Sequence, residues 1–283
     1  MSDSTSVPTS PTIAAPRATL PADHVWQRHT LTQKLLRFTV WLLIALAVVQ
    51  SMRYIEIIPE FLYDAPDQMS DMLGRMWPID WAYYASDVQA GLIETLHIAT
   101  LGTLLSIVLA IPFGLMVASN LTKNRALNVF ARIVLVASRS VNSLVWALLF
   151  LAIFGPGPVA GTLAIAFRSI GFVGKMVGET IEQMPRGPIE ALQASGAGKF
   201  SEIWYGYWPQ LRPAFMSIIL LRWDINVRES AVLGIVGAGG VGMVLDTALN
   251  LFQWPRVATV LVSIFAIVIV TEVAVTQIRK RVL

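Results

Sequence analysis

Nine consecutive residues, Arg222-Trp223-Asp224-Ile225-Asn226-Val227-Arg228-Glu229-Ser230, put two guanidiniums, two carboxylates, an amide and a hydroxyl inside an otherwise apolar run. An Arg or Asp at the centre of a membrane helix costs about 2.5–3.5 kcal/mol on insertion scales, so such groups pair with one another or face water. On a helix, Asp224 and Arg228 stand four apart with the acid first, a favourable ion pair. Arg222, Asn226 and Glu229 follow a second line of the same helix. These residues admit two roles. A self-neutralised network would tie helices together. A polar wall would instead offer the planar, permanently charged donors of Arg222 and Arg228 to an oxyanion, with Asp224 and Glu229 keeping the empty site near neutral. A smaller polar island, Ser138-Arg139-Ser140-Val141-Asn142-Ser143, is suited either to face that wall through Ser138, Arg139 and Asn142 or to serve as inter-helix glue.

Other chemistries find no support. The chain has no cysteine, which excludes disulfides, thiolate metal sites and cysteine nucleophiles. Its three histidines, His24, His29 and His97, are scattered, and no Ser-His pair or metal-spaced acids occur in the apolar runs, so neither an enzyme nor a metal site is expected. Gly237-x-Gly239-x-x-Gly242 matches the dinucleotide fingerprint by letter, but that fingerprint needs a preceding strand inside a soluble βαβ unit. Between membrane segments, Gly237, Gly239, Gly240 and Gly242 are expected to allow close backbone packing or a bend at a gate. Gly198-Lys199-Phe200 lacks the Ser/Thr and leading glycine of a phosphate loop. The chain is therefore expected to bind no cofactor and to leave any ATP hydrolysis to a separate chain.

A mean hydropathy of +0.63 with only 14% charged residues describes a membrane protein. Residues 1–30, rich in Ser, Thr, Pro and Ala, read as a disordered tail. A first span is expected over 31–58 if the short apolar run from Phe38 to Ser51 is extended as a tilted helix. Residues 59–90 read as an outer loop, acidic and ending in an interfacial aromatic group of Trp77, Trp81, Tyr83 and Tyr84. Further spans are expected over about 91–118 with a kink at Pro112, 129–154, 159–177, 215–236 and 257–276. Lys123, Arg125 and Arg132, then Lys175, Arg186 and Lys199, then Arg279-Lys280-Arg281 fall on one side of these spans. The result is an all-α integral membrane protein of six transmembrane helices with both termini inside.

Between the fourth and fifth spans lies Glu190-Ala191-Leu192-Gln193-Ala194-Ser195-Gly196, with Pro209 thirteen residues beyond the glycine. The alanine-rich turn propagates a helix, Glu190 suits its positive end, and Gly196 breaks it. Glu190, Ala191, Gly196 and Pro209 resemble the coupling motif of membrane subunits of ATP-driven importers, with departures at Leu192, Gly206 and Trp208. The coupling helix is expected near 188–199.

Arg222-Trp223-Asp224-x-Asn226-Val227-Arg228, Val236 to Gly242, Ile111 to Met116, Leu144 to Phe150 and Gly155-x-Gly157-Pro158-x-Ala160-Gly161 resemble the phosphonate-type ABC importer permeases from about Gly91 onward. The Ser138 to Asn142 stretch departs from that pattern by lacking a proline and an acid. The resemblance implies a type I importer permease core over 91–283 in a bacterial inner membrane, working as a homodimer. It also implies a pair of cytoplasmic ATP-binding subunits that use ATP and Mg, and a periplasmic substrate-binding protein; no nucleic-acid partner is expected. The implied cargo is phosphonate, phosphite or hypophosphite. The alternatives are an importer of a different small solute and a self-sufficient secondary transporter. Against the latter, the spans show no internal repeat.

Overall fold

The computed structural model describes residues 30–55 and 59–282, so nearly all of the N-terminal stretch read as a tail, and the end of the first expected span, lie outside the described residues. The chain divides into two compact units, Met1–Pro66 and Asp67–Leu283.

In the first unit, α1 (Leu31–Tyr54) begins where the Gln33 side chain accepts a hydrogen bond from the Thr30 backbone N–H at 3.4 Å. Its 24 residues reach about 36 Å, enough for a hydrocarbon core of about 30 Å. Between Arg37 and Gln50 they are apolar on every side apart from Thr39, as suits a helix in lipid. α2 (Pro59–Arg75) runs across the unit boundary through Pro66. The stretch read as an outer loop is thus helical in its first half. Glu60, Asp64, Asp67 and Asp71 recur at helical spacing on one side of α2, opposite Leu62, Ala65, Met69 and Met72, and Arg75 pairs with Asp71 at 2.7 Å.

The second unit is a helical bundle with no strand among the described residues. A π-helical turn (Tyr84–Val88) leads into α3 (Gln89–Val117), which continues unbroken through Pro112. α4 (Arg125–Ser140) and α5 (Ser143–Phe154) follow, then α6 (Pro158–Glu182) and the short α7 (Gly187–Ala194). A single turn, α8 (Lys199–Ser201), and a π-helical segment (Glu202–Tyr207) feed α9 (Trp208–Leu233). α10 (Val241–Asn250) and α11 (Trp254–Val282) complete the chain. Five stretches of the described residues are long and apolar enough to cross a bilayer, and six spans result when α4 and α5 count as one.

That third span differs from a straight helix. α4 and α5 meet at 90°. Val141 and Asn142 adopt extended backbone, and the Asn142 side chain accepts from the Leu144 N–H at 3.1 Å, so it caps a new helix. The segment after the fifth span also differs from a plain turn, because Val241–Asn250 forms α10.

α6 is the hub, packing against α3, α4, α5 and α9. Its glycines set the spacing. Gly174 and Gly178 face Gly114 and Val117 on α3, while Gly171 receives the Leu135 carbonyl of α4. At the far end, Gly237, Gly239 and Gly240 hold positive φ and fold the chain between α9 and α10. Gly239 there lies against Pro158 and Gly240 against Thr95, while Gly242 lies against Ala231 and Gly234.

A methyl on Gly242 would overlap the Ala231 carbonyl oxygen and stand 2.7 Å from the Gly234 Cα. Gly242→Ala should therefore cost about 1–3 kcal/mol by overpacking and lower the thermal midpoint of the detergent-solubilised protein. Gly74→Ala, at a helix position with open space around it, should leave that midpoint unchanged or raise it slightly.

Candidate functional site

Along α3, α6 and α9 the apolar core is interrupted at one level. One cluster joins Val117, Leu135, Val173, Ile181, Leu211 and Phe215; another joins Ile98, Ala147, Ala164, Ile165 and Leu233. Between them, near the middle of α3 and α6 and in the C-terminal half of α9, the sequence supplies Thr100, Thr103, Arg168, Ser169 and the polar residues 222–230. Burial in that layer demands partners, and nearly every group has one. Asn226, fully buried, donates to Thr103 Oγ1 at 2.7 Å, and Trp223 Nε1 donates to Thr100 Oγ1 at 3.0 Å. Ser230 donates to the Thr95 carbonyl at 3.1 Å, while the Thr95 hydroxyl accepts from the Val241 N–H at 2.9 Å.

The charges form two groups. Arg222 is 4% exposed, donates through Nε to Ser169 Oγ at 2.9 Å, and reaches Glu229 Oε2 at 3.5 Å through Nη2. Its guanidinium carbon stands 5.5 Å from the centre of the Phe172 ring. The other oxygen of Glu229 takes Arg168 Nη1, so one carboxylate on α9 is clamped between guanidiniums on α6 and α9. Asp224 pairs with Arg228 as the spacing predicts. Three guanidiniums face two carboxylates, leaving the layer net cationic. Arg168 Nε and Asp224 Oδ1 are buried with no hydrogen-bond partner. The Arg228 side chain is 47% exposed in mid-span, and a charge there is too costly to lie in lipid, so protein or water must cover that face.

Arg168 and Ser169 were not singled out from the sequence as site residues, although a polar pair inside the apolar run from Val159 to Val177 marks them. The other candidates fall elsewhere. Ser138 is buried, donates to the Phe167 carbonyl and accepts from the Gly171 N–H at 3.2 Å, which fastens α4 to α6. Asn142 caps α5. Arg139 is exposed, lies outside the clamp and lines a cavity between α4 and α6.

Glu190 and Ala191 lie on α7, exposed, with Glu190 in its first turn. The helix sits on the bundle through Ile189 and Leu192, which pack against the position of Gly206. Gly196, at φ 75°, turns the chain back so that the Ala197 N–H reaches the Leu192 carbonyl at 3.0 Å. No atom lies within 4 Å of where its side chain would start, so the position requires the left-handed conformation rather than clearance. Pro209, exposed, occupies the first turn of α9. At the opposite end Arg256 contacts Asp80 at 3.4 Å and lies over the Tyr83 ring at 4.7 Å. Burial and then Asp87 push the Tyr83 phenol up, partly offset by Arg256.

Residues 110–283 match the family described as the binding-protein-dependent transport system inner membrane component. The chain is 38% identical over 202 residues to a putative phosphite transport system permease protein, HtxC, of Stutzerimonas stutzeri, covering 69% of this chain and 72% of that one. It is 34% identical to the phosphite transport system permease protein PtxC of the same organism, covering 75% and 77%. A phosphate-import permease protein, PhnE, of Mycolicibacterium smegmatis is 35% identical across 83% of this chain, which spans 44% of that longer relative. In fold, the chain is similar to the MetNI methionine ABC transporter in inward-facing form, with a TM-score of 0.62 at 22% identity over 69% of this chain and 96% of that one. An amino acid ABC transporter crystallised with histidines gives a TM-score of 0.61 at 19% identity, covering 72% and 99%.

Removing one partner of a buried charge pair strands the other, at a cost of about 3–5 kcal/mol. Glu229→Leu should therefore lower the thermal midpoint of the solubilised protein strongly, and adding Arg168→Leu should recover only part of the loss, because the buried Arg222 stays without an acid. Arg228→Leu strands the buried Asp224 and should likewise lower the midpoint, while adding Asp224→Leu to it should recover much of the loss.

Proposed function

The chain belongs to the family of binding-protein-dependent transport system inner membrane components, and from that premise we propose that its cargo is a phosphorus oxyanion. It is the multi-pass inner-membrane permease of an ABC importer. Relatives named for phosphite and phosphate transport support the cargo, and so does a net cationic polar layer in the middle of the bundle. A dianion crossing a low-dielectric bundle needs compensating donors, and arginine supplies planar pairs of N–H groups matched to oxyanions. Arg168 and Arg228, partly open, are the donors nearest to the exposed face, while Arg222 holds Glu229 from behind. Asp224 and Glu229 keep the empty layer from trapping the anion, since conduction requires binding weak enough to release.

The observation that carries the importer reading is α7, an exposed eight-residue helix closed by a left-handed glycine and seated on the bundle through two apolar side chains. A separate cytoplasmic pair of ATP-binding subunits would grip it, with ATP and Mg used on those chains. Ile189 and Leu192 bear on the π-helical segment that leads into α9, and from Trp208 to Arg222 α9 rises about 21 Å. A displacement of α7 would thus reach the polar layer along one continuous helix. The half-exposed Arg228 supports a second copy of the chain, or the water path between two copies, as the cover of that face. Basic residues at the end of α11 and around the α3–α4 turn support cytoplasmic termini, with α7 on the same side and a periplasmic binding protein delivering cargo to the other.

Uptake by vesicles containing the permease, its ATPase and its binding protein should be specific for phosphite or an alkylphosphonate over sulfate. Equal sulfate uptake, or no uptake of any phosphorus oxyanion, would overturn the cargo. In the same vesicles Gly196→Leu should leave insertion unchanged and lower the thermal midpoint only slightly, because about 1–2 kcal/mol of backbone strain is added. Uptake should nevertheless fall at least severalfold. Unchanged uptake in that variant would remove α7 from the coupling role.

A further inference from the structure

α6 carries charge well beyond the clamp. Arg168, Lys175, Glu179 and Glu182 fall at i, i+7, i+11 and i+14, hence on one face, over about 21 Å from mid-helix to its end. α4 supplies a matching line, Arg132 and Arg139, seven residues apart. The two helices meet at Gly171, where an added Cβ would stand 3.0 Å from the Arg139 Cβ and 3.1 Å from its backbone nitrogen. Arg139 is thereby set beside α6 about one turn from Arg168 and one turn from Lys175. A cavity of about 200 Å³ opens there, lined by Arg132, Arg139, Lys175, Glu179 and Glu182 together with apolar side chains.

Most charges in this string are engaged. Lys175 pairs with Glu179 at 3.3 Å, and Arg132 Nε donates to Asn128 at 2.8 Å. Glu182 accepts from the Ser119 N–H at 2.8 Å and lies 3.9 Å from Arg132. The Arg139 side chain has neither a hydrogen bond nor an ion pair among the described residues. The cavity therefore holds three cations against two acids, with one cation free, in a space large enough for a small tetrahedral oxyanion and several waters.

The geometry points to this α4–α6 string as the inner half of the oxyanion path, with Arg139 as the donor that receives the anion from the Arg168–Glu229 layer. The assignment rests on the cargo proposed above. Cations flanked by acids suit it, because each site binds the anion and yields it to the next. Lys175, then Arg132, would lead it towards the end of α6. A cation serving only to anchor α4 at lipid headgroups would not need to sit against Gly171, one turn from the clamp.

The chain has no cysteine, so Arg139→Cys introduces a single thiol that can be recharged. In vesicles of the complete importer, Arg139→Cys should insert normally and import phosphite at least about tenfold more slowly, the loss expected for one charge-assisted contact. Aminoethyl methanethiosulfonate, which restores a positive charge, should return most of the rate, whereas the sulfonatoethyl reagent should not. The unaltered complex, treated alike, controls for partner cysteines. Wild-type rate in the variant, equal response to both reagents, or a thiol that neither reagent reaches would overturn the string while leaving the cargo intact. Failure of the unaltered importer to carry any phosphorus oxyanion would instead remove the cargo, and the string with it.

Discussion

The clamp of Glu229 between Arg168 and Arg222 is the constraint that the rest of the bundle must meet. Ions in the middle of three membrane helices are tolerated only if the helices are held at fixed spacing and register, because a lost partner leaves an uncompensated charge. Much of the surrounding structure serves that end. Glycines bring α3 and α6 together, Ser138 fastens α4 to α6, and Asn226, Trp223 and Ser230 fix α9 against α3. The two apolar clusters lie on either side of the layer and bury its inner part around Ser169, Arg222 and Asn226, where low dielectric strengthens each interaction. Polar contacts supply specificity here, since between helices in lipid the apolar side chains gain little from leaving their surroundings.

Local signals were legible in the sequence, and pairings across the bundle were not. The αL cap at Gly196 follows from the alanine-rich turn before it, and the Asp224–Arg228 pair follows from i,i+4 spacing on one helix. The Glu229–Arg222 contact was implicit in their shared helix line. Arg168 is different: it sits 61 residues from Glu229, and nothing in the pattern of α6 says which neighbour its guanidinium will meet. The interruption at Ser138 to Ser143 was visible, but its 90° bend depends on α4 and α5 both packing on α6. α2 was masked by Pro59 and Pro66 and by its acids, although its 3.6-residue period is regular. α10 follows a run of glycines whose positive φ values only the folded bundle specifies.

The arrangement also links chemistry to motion. α9 carries Arg222, Asp224, Arg228 and Glu229, and its N-terminal approach is the segment on which α7 rests. Glu229 is shared between α9's own Arg222 and α6's Arg168, so a shift of α9 along α6 would alter one contact before the other. An element with two discrete partners for one carboxylate is suited to two states, which a displacement transmitted from α7 would bias.

The cost of a charge in hydrocarbon requires the mid-span charges to face water or protein and never lipid. A spin label at Arg228→Cys, in the assembled importer in bilayers, measures this directly by relaxation with oxygen, which concentrates in lipid, and with a water-soluble nickel chelate. Low oxygen accessibility is expected at position 228 with nickel accessibility at or above it, and the reverse at Val273→Cys, an exposed apolar position on α11. Oxygen accessibility at position 228 equal to that at position 273 would contradict that requirement.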